Sequence, residues 1–175
     1  MRFEDEFTVD KTPDEVFRLL ADAERIPEWM VEFEHVEQIS NGESEPGVGT
    51  EYRCRPVNPP RGNWTFEWAE YQPGKRLAYT GDTNGPVQRT GSYDISPNGG
   101  DDTTVRMVIE PRFGWPMKLV SPLLGLLLRK HARRDATALR RWLSSAAVAL
   151  GVMYTNAAEL LDGFSQWAVG LSGAL

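Results

Sequence analysis

The sequence predicts an α+β domain, a seven-stranded antiparallel meander followed by one long helix, and three observations carry that prediction. A short alternating segment is followed by a helix-start signature, Thr12-Pro13-Asp14-Glu15. Six further strand candidates are separated by turns rich in glycine, proline and asparagine. After Pro111 the apolar spacing changes from two to that of a helix.

In chain order, residues 2–9 put Phe3, Asp5, Phe7 and Val9 on one parity, so Asp5 is the one charged residue on the inward side of the first strand. Thr12 can cap a helix that begins at Pro13, with Glu15 reaching back to the free amides. Val16, Phe17, Leu20 and Ala21 share a face of that helix, and Asp22 starts a second short one holding Ile26 and Trp29. Turn signals fall at Asn41-Gly42, Pro46-Gly47-Val48-Gly49, Pro73-Gly74, Asn84-Gly85-Pro86 and Pro97-Asn98-Gly99-Gly100. They leave strands near 33–40, 49–56, 63–72, 76–82, 87–95 and 103–110. Clean alternation, as in Trp64, Phe66 and Trp68 against Thr65 and Glu67, means one dry and one wet face and so an antiparallel sheet. The long helix spans about 116–150, with a break at Ser121-Pro122. Leu124, Leu128, Ala132, Asp135, Leu139, Leu143 and Ala146 form its broad face; Arg129, Lys130, Arg133, Arg140 and Arg141 stand opposite.

Composition narrows the function classes. The chain has 175 residues, and 19 Lys+Arg against 25 Asp+Glu leave a net charge of −6, which speaks against a general nucleic-acid binder. One cysteine, Cys54, rules out an intramolecular disulfide framework and fits a reducing compartment; two distant histidines, His35 and His131, do not make a metal site. The terminus MRFEDEF does not read as a signal peptide, and the apolar run Leu119–Leu128 is half the ~20 residues a spanning helix needs. A cytoplasmic protein is therefore expected. No dinucleotide, Walker A, zincin or nucleophile-elbow motif is present, so no cofactor and no catalytic residue is assigned.

The segments Phe7-Thr8-Val9, Thr12-Pro13-Asp14-Glu15-Val16-Phe17, Leu20-Ala21-Asp22, Pro27-Glu28-Trp29, Gly47-Val48-Gly49-Thr50 and Tyr71-Gln72-Pro73-Gly74-Lys75-Arg76-Leu77-Ala78-Tyr79 resemble the START/Bet v 1-like (SRPBCC) superfamily. The resemblance is to its polyketide cyclase/dehydrase and lipid-transport branch, and it covers roughly residues 1–145. It implies a helix-grip fold: a curved sheet wrapped around the C-terminal helix, with a cavity between them that holds a hydrophobic small molecule. Residues 146–175 fall outside it and are read as an extension, helical or poorly ordered, offering a candidate homodimer contact.

On strand and helix parity, that cavity is expected to be lined by Tyr52, Trp64, Phe66, Trp68, Tyr79, Arg89, Tyr93, Met107, Leu124, Leu128, His131 and Asp135. The aromatic set either stacks on a flat ligand or simply fills a core. Arg89, on an inward parity, needs a partner or an anionic ligand unless it reaches solvent from near its strand end. Gly91 nearby leaves room for a ligand or marks a bulge. His131 and Asp135, four apart, can meet as a proton-transfer pair or as a solvated pair. The basic residues Arg129, Lys130, Arg133 and Arg134 either touch an anionic membrane surface peripherally or balance an acidic N-terminal half. Residues 1–50 hold fourteen Asp+Glu against four Lys+Arg. The function expected is storage, transport or presentation of a lipid, polyketide or quinone. The alternatives are a polyketide aromatase/cyclase-type enzyme and a membrane-associated quinone or lipid chaperone.

Overall fold

The computed structural model describes residues 2–40, 46–57, 64–82, 87–113 and 129–146. Contacts divide the chain into two units, Met1–Leu143 and Ser144–Leu175.

The first unit is built from β1 (Phe3–Asp10), α1 (Pro13–Ala21), a 3-10 helix (Ala23–Glu28), β2 (Phe33–Gln38), β3 (Glu51–Pro56), β4 (Trp64–Gln72), β5 (Arg76–Asp82), β6 (Val87–Pro97) and β7 (Asp102–Phe113). A further helix, α2, occupies 129–146, of which 129–143 lie in the first unit. The strands form one seven-stranded sheet in the order β1-β7-β6-β5-β4-β3-β2, with every neighbouring pair antiparallel. This is a meander in which β1 returns to cover the free edge of β7. Register irregularities between Phe33 and His35 and between Trp68 and Glu70 bend the sheet, which is curved.

Helix α1 begins where its cap dictates. Glu15 N donates to Thr12 Oγ1 at 3.4 Å, while Thr12 N and Oγ1 donate to Glu15 Oε2 at 2.9 and 2.7 Å, and Pro13 opens the first turn. Such a cap stabilises a helix by about 1 kcal/mol. The second short helix expected after Asp22 is a 3-10 helix, consistent with Pro27 inside it denying one backbone donor.

The core lies between the inner sheet face, α1 and α2: Val16, Leu77, Val105, Leu139 and Leu143 have no exposed surface. The outer face is charged. Arg106 pairs with Glu4 at 2.6 Å, Arg53 with Glu37 at 3.0 Å, and Arg76 bridges Glu70 and Asp94. Exposed pairs of this kind add little stability, about 0–1 kcal/mol each. No helix of the described residues is long and apolar enough to cross a membrane. The run Leu119–Leu128 with its predicted break, the cavity candidates Leu124 and Leu128, and nearly all of the C-terminal extension lie outside the described residues.

Candidate functional site: an aromatic slot beside a buried arginine

A slot opens between the inner sheet face and the segment that runs from α1 to the start of β2. The sheet contributes Cys54, Trp64, Phe66, Trp68, Tyr79, Arg89 and Tyr93. The facing wall is Leu19 and Leu20 of α1, then Ile26, Trp29, Met30 and Phe33, with exposed Asp22 at the rim. The space free of atoms is about 580 Å³ with its mouth, yet only about 40 Å³ of it admits the centre of a water molecule. The free room is therefore small as the side chains stand.

Register explains the sheet wall. Cys54 faces Trp64 across β3–β4, Trp68 faces Tyr79 across β4–β5, and Tyr79 faces Gly91 across β5–β6. Directly opposed residues point to the same side, so alternate positions of four strands gather on one surface. Phe66 is the hub, its ring 5.0 Å from Tyr52, 5.5 Å from Trp68 and 5.9 Å from Tyr79. Gly91 is neither a bulge nor vacant room: its pairing is continuous on both sides, and the Tyr79 ring lies across it. A Cβ there would stand 2.6 Å from Tyr79 Cε1, Cζ and Oη.

Arg89 is the cation of the slot, its side chain only 13% exposed. One terminal nitrogen is 3.9 Å from Asp135 Oδ2, an ion pair too long for a hydrogen bond. Its Nε is buried without a hydrogen-bond partner among the described residues, and the guanidinium carbon stands 5.7 Å from the centre of the Trp64 ring. Asp135 lines not the slot but an outer hollow with Glu32, Phe33, Val57, Trp64, His131 and Arg134. That hollow and the slot adjoin, sharing Phe33 and Trp64 among their described lining residues, whose rings sit 5.7 Å apart. Burial pushes the Asp135 carboxyl up to about 6 against the pull of Arg89. Burial likewise raises the Tyr93 phenol, which stays protonated, and pushes the Cys54 thiol up to about 12, so Cys54 is no nucleophile near neutral pH.

Of the residues expected in the cavity, Trp64, Phe66, Trp68, Tyr79, Arg89 and Tyr93 border the slot. Tyr52 does not: it is a backing layer, stacked on Phe66 at 16° and 2% exposed. Met107 lines a separate hollow with Phe3, Asp5 and Arg129, because β7 lies at the β1 side of the sheet, away from β3 and β4. His131 is exposed and, with Asp135, belongs to the outer hollow. Sequence parity missed the whole facing wall from Leu19 to Phe33; the apolar face of α1 and the Ile26–Trp29 pair were the available signal. Among the described residues no cluster of His, Cys, Asp and Glu could hold a metal ion.

Curved sheet and C-terminal helix together make a helix-grip fold, the fold of START-like proteins. More narrowly, the chain belongs to the polyketide cyclase/dehydrase and lipid transport family, whose sequence pattern matches residues 1–144. A search of curated proteins finds no relative. Solved structures share the fold at low identity. The Zhui aromatase/cyclase from Streptomyces sp. R1128 is 18% identical, with a TM-score of 0.63 over 82% of this chain and 93% of its own. A START superfamily protein from Mycobacterium smegmatis is also 18% identical, with a TM-score of 0.60 over 83% and 98%. A norcoclaurine synthase point mutant from Thalictrum flavum, again at 18%, has a TM-score of 0.59 over 84% and 96%.

Proposed function

We propose that this chain binds a hydrophobic small molecule with a flat or extended body, a lipid, polyketide or quinone, in the slot, for storage, transport or presentation. The observation that carries this reading is the slot's lining. Aromatic and aliphatic side chains form both walls, and among the described residues Arg89 is the one charged group away from the rim. Covering ~300 Å² of apolar ligand surface is worth roughly 7 kcal/mol before the costs of association, which corresponds to micromolar binding at best without polar contacts. A peripheral contact with an anionic membrane through exposed Arg129, Lys130, Arg133 and Arg134 belongs to the same reading, since a carrier of apolar cargo loads from a bilayer.

Native mass spectrometry of freshly purified protein, repeated after denaturing organic extraction, tests it. A retained small molecule released on denaturation is the expected result. Failure of apolar compounds of this class to bind purified protein in titration would overturn the reading.

A second reading, an aromatase/cyclase-type enzyme, is favoured by one observation: Asp135, held near 6, stands 3.9 Å from Arg89 in the hollow that adjoins the slot. A carboxyl poised there can exchange a proton near neutral pH, and a guanidinium can hold an enolate oxygen. Turnover of a poly-β-ketone that disappears in Asp135→Asn, with binding kept, would favour this reading over simple carriage.

A further inference from the structure

We infer that the slot selects ligands whose flat apolar body ends in a carboxylate, received by Arg89. This rests on the binding reading above and adds the head group.

Arg89 is short of acceptors. A guanidinium carries five N–H donors and no acceptor of its own, and buried donors left unpaired are costly. Here Nε has no partner among the described residues, and the carboxylate oxygen it faces, on Asp135, stands 3.9 Å from a terminal nitrogen. The cation thus enters an apolar slot while its nearest countercharge, Asp135, lines the adjoining hollow. Of the other groups around it, Tyr93 and Cys54 are held protonated, Asp22 lies at the rim, and Glu32 acts on it only from the adjoining hollow.

The pair with Asp135, at 3.9 Å, leaves the guanidinium donors without a hydrogen bond to that carboxylate. A carboxylate arriving from the slot supplies the acceptors that Asp135 does not, and the planar fork of arginine suits a planar two-oxygen head. The Trp64 ring beside the guanidinium gives the adjoining aromatic or polyenic body a surface to lie on. A neutral ligand of the same shape leaves the buried charge as it is.

The test uses two probes of one shape, 2-naphthoate and 2-naphthamide, titrated calorimetrically into the full-length protein at pH 7.5. The expected result is that naphthoate binds about tenfold or more tightly than the amide. Arg89→Gln should abolish that preference, bringing the two affinities together. Should Arg89→Gln fail to fold, Arg89→Gln/Asp135→Asn removes both charges together and is read the same way. Equal affinities in the unaltered protein, or a preference for the amide, would overturn the head-group inference and leave the apolar-cargo reading standing. Binding of neither probe would overturn it too, and cargo retained in native mass spectra would show that the broader reading survives.

Discussion

The indole Nε1 of Trp142 donates to Glu28 Oε2 at 2.7 Å, tying α2 to the last residue of the 3-10 helix. Arg25 completes the knot: its Nε and terminal nitrogen each reach the Glu28 carboxylate at 2.8 Å, while its guanidinium carbon stands 5.0 Å from the centre of the Trp142 ring. The knot matters because Ile26 and Trp29, the residues that follow Arg25 and Glu28, form part of the slot's facing wall.

Trp142→Phe keeps an aromatic ring under Arg25 and removes the N–H. The expected loss is about 1 kcal/mol, since Glu28 is partly exposed and water can replace the donor. For a chain of this size that lowers Tm by roughly 2–4 °C. Ligand affinity should fall as well, because the wall is freed at one end; thermal unfolding and a binding titration of the same variant separate the two effects.

Asp135 gives the fold a pH signature. Its carboxyl is raised from the ordinary 3.8 to about 6 by burial, opposed by Arg89, reinforced by Glu32, and eased by His131 and Arg134. The folded state therefore holds the proton more tightly than the open chain does. Stability attributable to this group is full below about 4, declines as pH rises to about 6, and is level above. The cost of ionising it in the fold is on the order of 3 kcal/mol. Urea midpoints for the unaltered protein and Asp135→Asn, followed from pH 4 to 7, should show that decline in the first and its absence in the second.

Cys54 should resist alkylation. With its thiol pushed up to about 12 and 2% of its surface exposed, thiolate is scarce and access is poor. Iodoacetamide at pH 7.5 is expected to label it on the order of 10³-fold more slowly in native protein than after unfolding, read by mass spectrometry. Labelling within a few fold of the unfolded rate would mean that the slot opens widely and often.

Much of the scaffold was legible because its signals are local. Thr12, Pro13 and Glu15 specify a helix start within four residues, and the alternation of Trp64, Phe66 and Trp68 states which side of β4 is dry. Parity, however, is a one-bit property. It puts Tyr52 and Met107 on the same face as Phe66 without saying where along a seven-stranded sheet the opening falls. The other blind spot is contact between distant segments. His131 and Asp135 are neighbours on one helix, yet the cation that Asp135 meets comes from β6, which no spacing rule connects to α2. The same limit hid the wall from Leu19 to Phe33, which meets the sheet only through the closed fold.

The Tyr79 ring resting on Gly91 makes the bore of the slot depend on a hydrogen atom. Placing a methyl at residue 91 would force that ring off the sheet, because ring atoms occupy the methyl's position. The displaced ring borders the narrow room open to a thin ligand, so Gly91→Ala should tighten the passage and exclude wide ring systems before slender chains; affinities for a graded series of fused-ring acids would record it. Trimming Tyr79 to leucine should widen the same passage. In the binding role proposed above, the β5–β6 pair would set the thickness of what the slot admits, alongside the chemistry that Arg89 selects.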